Sequence, residues 1–164
     1  MMQLKKSLCM IILAVCPGFG LALNEGTIAP GFSLPVFDQT EVRESSDYLG
    51  KVIYLDFWAS WCGPCQISVP QLIQLQADMN TEEFEVVAIN VDEEGHRARR
   101  FLARYNVNYT VLADPAGRVA AEYELTGMPS AFIVNQQGKI VKIHTGFRQG
   151  DMEKIRSYIN DLLN

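Results

Sequence analysis

The sequence predicts one α/β domain, a central mixed sheet flanked by helices with an antiparallel pair at its end. Three observations carry this. Lys51–Ala59 (KVIYLDFWA) and Glu85–Asp92 (EVVAINVD) are nearly continuous apolar, β-rich runs, as expected of strands covered on both faces. Segments with helical periodicity separate the strand-like runs. Ala131–Val134 and Ile140–His144 flank Asn135-Gln136-Gln137-Gly138, which reads as a hairpin.

In chain order, Asn24–Pro30 is a polar lead-in punctuated by glycine and proline. Phe32–Phe37 is a short strand, and Pro35 places it at an edge because proline has no N–H for a ladder. Ser45–Gly50 is a brief helical turn ending at glycine. The Lys51–Ala59 strand follows. A helix runs from Cys62 to about Met79, with Ile67, Leu72, Leu75 and Met79 among its apolar positions and Pro70 as a kink. After the Glu85–Asp92 strand, Ala98, Phe101, Leu102 and Tyr105 fall on one apolar helix face. Tyr109–Ala113 is a strand and Asp114-Pro115-Ala116-Gly117 a turn. Arg118–Glu124 is a short helix, and Asp151–Leu163 closes the chain as a helix after the hairpin. From the Lys51–Ala59 strand onward the predicted order is β-α-β-α-β-α-β-β-α.

At 164 residues the chain suits one domain, long enough for a core without a metal or disulfide staple. Hydrophobic residues make up 48% and charged residues 20%, which is globular composition. The net charge is −5, and it becomes −7 (12 basic against 19 acidic) if Lys5 and Lys6 leave with a leader. That balance argues against nucleic acid as partner, which calls for a basic face. Residues 1–22 read as an export signal. Lys5 and Lys6 supply the positive start, Leu8–Val15 the short apolar stretch, and Gly20-Leu21-Ala22 a small-x-small cleavage pattern. Cleavage after Ala22 would leave 23–164 as the domain. Two alternatives stay open: lipidation at Cys16, since Leu13-Ala14-Val15-Cys16 resembles a bacterial lipobox, and an uncleaved anchor from Ser7 to Leu23.

Cys9 and Cys16 lie in the leader, so the domain keeps only Cys62 and Cys65. A two-residue spacing closes a very small ring and removes little unfolded-chain entropy. The pair is better explained by chemistry than by stapling. Strand, Cys62-Gly63-Pro64-Cys65 and helix follow one another, which puts a thiol at a helix N-terminus. Free N–H groups and partial positive charge there favour a thiolate, the species that attacks a disulfide. Cys62, first and more exposed, is the expected nucleophile. Cys65, a turn further in, is the expected resolving thiol. Pro64 suits a first helical turn, where its missing N–H costs nothing.

Trp61-Cys62-Gly63-Pro64-Cys65 resembles the active-site motif of the thioredoxin family. Pro70, eight residues after Cys62, matches that family's helix proline. Gly127-Met128-Pro129-Ser130 looks like its cis-proline loop. Within the family the chain is similar to the exported TlpA/ResA-type thiol–disulfide oxidoreductases. The leader, the Ala29-Pro30-Gly31-Phe32-Ser33-Leu34 stretch and the 36 residues between Asp92 and Pro129 carry that likeness. The resemblance covers about residues 27–163. It implies a thioredoxin-like fold with an extra helix and strand near 94–113, and a redox-active Cys62–Cys65 disulfide. It also implies substrate docking at Trp61, Gly63, Pro64, Met128 and Pro129. The expected work is reduction of disulfides on exported proteins, apocytochrome c among them, with electrons from a membrane thiol transporter. Gly63-Pro64 resembles reducing thioredoxins rather than oxidases. A monomer without cofactor or metal is expected, in the periplasm or another extracytoplasmic space.

The chain departs from TlpA-type sequences in holding Gln66 and Ser68 where a basic residue and a glutamate are common. Asp56 resembles the buried aspartate of cytosolic thioredoxins, and the lysine that faces it there is replaced by Ala88. Asp56 lies in an apolar strand, so desolvation should raise its pKa and suit it to take the Cys65 proton. The bland alternative is a structural aspartate.

A zinc pair is disfavoured because only His96 and His144 remain as further His or Cys ligands. Covalent haem is excluded by Gln66 after Cys65. Two other readings stay open: an oxidase or isomerase using the same cysteines, and a thiol-based copper chaperone. Trp58 is as easily core as site. Arg97, Arg100 and Arg104 form a basic stripe, expected to be a solvated face, with a docking patch for an acidic partner as the alternative. His96 and His144 are expected to be structural.

Overall fold

The computed structural model describes residues 23–79 and 81–164. The expected leader, its cleavage site and Cys16 lie outside the described residues. The chain runs through a small hairpin, β1 (Ser33–Pro35) and β2 (Val42–Glu44), then a 3-10 turn at Ser45–Tyr48 and β3 (Val52–Trp58). Helix α1 (Cys65–Asp78), β4 (Phe84–Asn90), α2 (Gly95–Leu102) and β5 (Thr110–Ala113) follow. Helix α3 (Arg118–Glu122), β6 (Ser130–Val134), β7 (Ile140–Thr145) and α4 (Asp151–Leu163) complete it. The main sheet has the order β5-β4-β3-β6-β7, with β3, β4 and β5 parallel and β6 and β7 antiparallel to their neighbours.

Strand β3 is buried along its whole length and sits at the centre of the sheet. Side chains alternate across a strand, so each run feeds two cores. Ile53, Leu55 and Phe57 join Val87, Ile89, Leu112 and Phe132 beneath the β1–β2 hairpin and α3. Val52 and Tyr54 join Val86 and Ile133 beneath α1 and α4. Toward the end of β3, a third cluster unites Trp58, Ala59, Cys62, Cys65, Val69 and Ala88 with Ala98 and Phe101 of α2. The expected α/β architecture with a mixed sheet is therefore present, and residues 94–113 do supply an extra helix and an edge strand.

Several local expectations change. Phe32–Phe37 contributes only three strand residues, paired with the unforeseen β2. Val42 is exposed and β2 has no buried face, so no apolar alternation announced it. The hairpin turn uses Asp38 at φ 60°, and Phe37 N–H donates to Val111 O at 2.8 Å, seating the hairpin on β5. Helix α1 begins at Cys65 rather than Cys62, with Pro64 at the cap position. Its buried stripe runs Cys65, Ser68, Val69, Leu72, Leu75 and Gln76, while Ile67 is exposed. Helix α2 ends at Leu102. Beyond it Arg104 and Tyr105 N–H bond back to Phe101 and Leu102 O, a tighter turn that keeps Tyr105 stacked 5.3 Å from Phe101.

Candidate active site

Strand β3 ends on Trp58, and its parallel partner β4 delivers Asn90 beside it. The loop Ala59–Pro64 turns from the sheet into α1. Cys62 N–H donates to Ala59 O at 3.1 Å, which folds the loop back on itself. Cys62 and Cys65 are joined in a disulfide. Cys65 is fully buried and Cys62 is 3% exposed, so the first sulfur is the one nearer solvent. Cys65 N–H, at the first turn of α1, donates to Cys62 Sγ at 3.2 Å. The N–H that caps the sulfur thus comes from the helix end, although Cys62 itself lies outside the helix. Gly63 and Pro64 are exposed, and Trp61 stands out at 64% exposure. An exposed tryptophan beside a shielded disulfide is an apolar contact surface rather than core. Trp58, in contrast, is buried at 1% and stacks 4.9 Å from Phe101, so it is the packing floor of the site.

Asp56 sits two residues before Trp58 on the α1/α4 side of the sheet. Its strand neighbours in register are Ala88 and Ala131, two small side chains that leave no cation beside it. It is 1% exposed, and Oδ2 has no hydrogen-bond partner. Burial alone lifts its pKa to about 8. Its charge in turn adds to the burial that raises the Tyr54 and Tyr109 phenols. The absence of a lysine at Ala88 thus has a consequence: nothing on the adjacent strand compensates the carboxylate. Ala88 belongs to the same apolar cluster as Cys65, which places Asp56 on the inner side of the motif.

The Met128–Pro129 peptide is cis. Pro129 is buried and Met128 half-buried, packed against both the hairpin-side core and the cluster that holds the cysteines. Ser130 Oγ donates to Gly127 O at 2.7 Å and Gly146 N–H donates to Pro129 O at 2.8 Å, so both ends of the loop are tied. The backbone N–H and C=O of Met128 have no partner among the described residues. They are free to meet an extended peptide.

Sequence reasoning missed one part of the site. Asp92, just past β4 and 4% exposed, accepts from Ser60 N–H and Ser60 Oγ at 2.9 Å each and from Asn90 Nδ2 at 2.8 Å. Asp92 N–H donates to Asn90 Oδ1 at 3.2 Å. A buried carboxylate is tolerated here because its oxygens are bonded by donors from two chain segments. These bonds pin the loop two residues before Cys62. The only sequence signal was an Asn-x-Asp at a strand end, which is also ordinary turn chemistry. His96 lies 3.6 Å from Glu94 and His144 lies 3.5 Å from Asp151, each outside the cysteine cluster.

The Redoxin family model matches residues 24–162. The chain is 33% identical over 139 residues to "Thiol-disulfide oxidoreductase ResA" of Bacillus subtilis, covering 85% of this chain and 76% of that protein. Among solved structures it is similar to a putative thiol:disulfide interchange protein DsbE from Chlorobium tepidum. The TM-score is 0.82 at 42% identity, over 87% of this chain and 99% of the other. It is also similar to an exposed lipoprotein thioredoxin of Streptococcus pneumoniae, with TM-score 0.68 and 27% identity, over 81% of this chain and all of that one.

Proposed function

The chain belongs to the Redoxin family and is a thioredoxin-fold, TlpA/ResA-type thiol–disulfide oxidoreductase, and from that premise we propose that it reduces disulfides on exported proteins. The observation that carries this is the Cys62–Cys65 disulfide with the α1 N–H of Cys65 on Cys62 Sγ. In the dithiol form that N–H would stabilise a Cys62 thiolate. The thiolate attacks a client disulfide, forming a Cys62–client mixed disulfide and releasing one client thiolate. Cys65, its proton taken by Asp56, then attacks Cys62 Sγ. The second client thiolate leaves, and the Cys62–Cys65 disulfide is restored. Two electrons pass to the client, and a thiol donor must return them. In this reading Trp61, Gly63 and Pro64 form the contact surface around Cys62. Met128 pairs its free backbone groups with the client peptide beside Pro129.

Reduction, rather than oxidation, is favoured by Gly63-Pro64 between the cysteines. An extracytoplasmic site, either soluble after cleavage at Ala22 or lipid-anchored at Cys16, is favoured by the leader. The exposed lipoprotein thioredoxin among its structural relatives agrees with that placement. Apocytochrome c is one client class with suitable oxidised cysteine pairs, a membrane thiol transporter is the proposed electron donor, and the protein acts as a monomer.

Equilibration with a defined thiol–disulfide buffer tests the direction. A potential near the thioredoxin value of about −270 mV supports the reductant reading, and one near the DsbA value of about −120 mV refutes it. Cys65→Ser should accumulate clients on Cys62, identifiable by mass spectrometry. Trapping on Cys65 in Cys62→Ser alone would reverse the roles of the two thiols.

A further inference from the structure

An open cavity of about 290 Å³ adjoins the active-site loop, lined by Ser60, Arg97, Arg100, Phe101 and Arg104. Arg97 and Arg100 lie on α2, and Arg104 on the tighter turn that follows it. They are not turned away from the site: Phe101 stacks on Trp58, directly beneath the cysteine motif, and draws the arginines against Ser60. Arg99, the remaining arginine of α2, points elsewhere and is held by Asp38.

Each arginine of the cavity is in a different state. Arg97 Nε is bonded to Glu94 at 2.8 Å, which neutralises it. Arg104 is positioned in advance. Its Nε donates to Phe101 O at 3.3 Å, and its guanidinium lies 4.5 Å from the Phe101 ring centroid and 5.6 Å from that of Tyr105. This contact holds the fork in place and leaves its terminal nitrogens free. The Arg100 side chain has no hydrogen bond or ion pair among the described residues. Two uncompensated guanidinium groups therefore face one cavity on a chain whose net charge is −5. Planar guanidinium forks match carboxylates in geometry as well as in charge.

We propose that this cavity is a carboxylate subsite that selects client segments with acidic side chains close to the cysteine under attack. The proposal deepens the exchange reading above, rests on it, and holds for either direction of electron flow. Ser60 forms one wall and lies two residues from Cys62, a span of at most about 7 Å along the chain. An extended client advances about 3.3 Å per residue, so an Asp or Glu two to four positions from its cysteine reaches the arginines. The arginines bind and orient, and the exchange at Cys62 is chemically unchanged.

The test uses the reduced protein and two disulfide peptides that differ only in Asp-Asp against Asn-Asn three residues from the cysteine. Disulfide loss is followed in acid-quenched samples. At low salt the acidic peptide should react about tenfold faster. In 0.5 M salt the gap should narrow, since exposed charges are screened. Arg100→Glu, at an exposed position without a side-chain partner, should erase or invert the preference, read as the ratio of the two peptides' rates within the one variant so that any change common to both cancels. Arg104→Gln should weaken the preference by a second route. Equal rates for the two peptides at low salt, or a preference that survives both substitutions, overturns the subsite and leaves the exchange reading intact. Failure of both peptides to react overturns the exchange reading, and the subsite with it.

Discussion

Asn at position 56 should make the oxidised protein more stable, and the gain should grow with pH. The buried carboxyl has a pKa of about 8 against an ordinary value of 3.8, raised by burial with no cation opposing it. Below 3.8 both the folded and the unfolded chain hold the proton. Between 3.8 and about 8 the unfolded chain has released it and the folded chain has not. The folded state then binds more protons, so stability falls as pH rises through that window. The slope is about 1.4 kcal/mol per pH unit, or about 3 kcal/mol from pH 5 to pH 7. Asp56→Asn keeps the shape and removes the titration. The difference in unfolding free energy between variant and parent should therefore widen by about that amount, then flatten above pH 8. Urea denaturation of both oxidised proteins at pH 5, 6, 7, 8 and 9 measures it, and the difference cancels all other titrating groups. A pH-independent difference would show that the folded carboxylate is compensated and would refute the argument. The same substitution tests chemistry. Release of the client from Cys62 should slow near neutral pH while formation of the mixed disulfide stays constant, measured by stopped flow.

Asp92→Ala leaves Ser60 N–H, Ser60 Oγ and Asn90 Nδ2 without their acceptor. It should cost about 3 kcal/mol in urea denaturation, with a loss of exchange rate as the loop before Cys62 loosens. Asp114→Ala removes the carboxylate that accepts from Arg118 and Ala120 N–H at the start of α3. It should cost about 1–2 kcal/mol without altering the exchange rate. N-terminal sequencing of the exported protein should begin at Leu23, whereas an acylated Cys16 at the terminus would show a lipoprotein.

The order and type of the main elements were legible because each is a local pattern. Continuous apolar runs mark β3 and β4, 3.6-residue spacing marks α2, and turn residues separate β6 from β7. The cysteine motif was legible for the same reason: Cys62, Gly63, Pro64 and Cys65 are contiguous, and a helix follows. Pro129 could be named from Met128-Pro129-Ser130 ahead of a strand. The helix start was misplaced by three residues because the motif itself forms the turn into α1. Strand β2 was invisible because all three of its side chains remain accessible.

What the sequence alone determined is thus the class of chemistry, since the two thiols and the motif that holds them are identifiable by type and neighbourhood, as is an aspartate in an apolar strand. Tertiary structure alone decided how strongly that chemistry is biased. The register that sets Asp56 between Ala88 and Ala131 is a pairing across three strands, and it removes any cation from the carboxylate. The bonds from Ser60 to Asp92 span 32 residues, and the stack of Trp58 on Phe101 carries the arginine face to the active-site loop. The sequence pointed to Ala88 opposite Asp56 only through the family resemblance, and Ala131, the Ser60–Asp92 bonds and the Trp58–Phe101 stack had no specific local mark. Burial and distance between remote segments belong to the packed whole, and it is those two quantities that raise the Asp56 pKa and gather the arginines around one cavity.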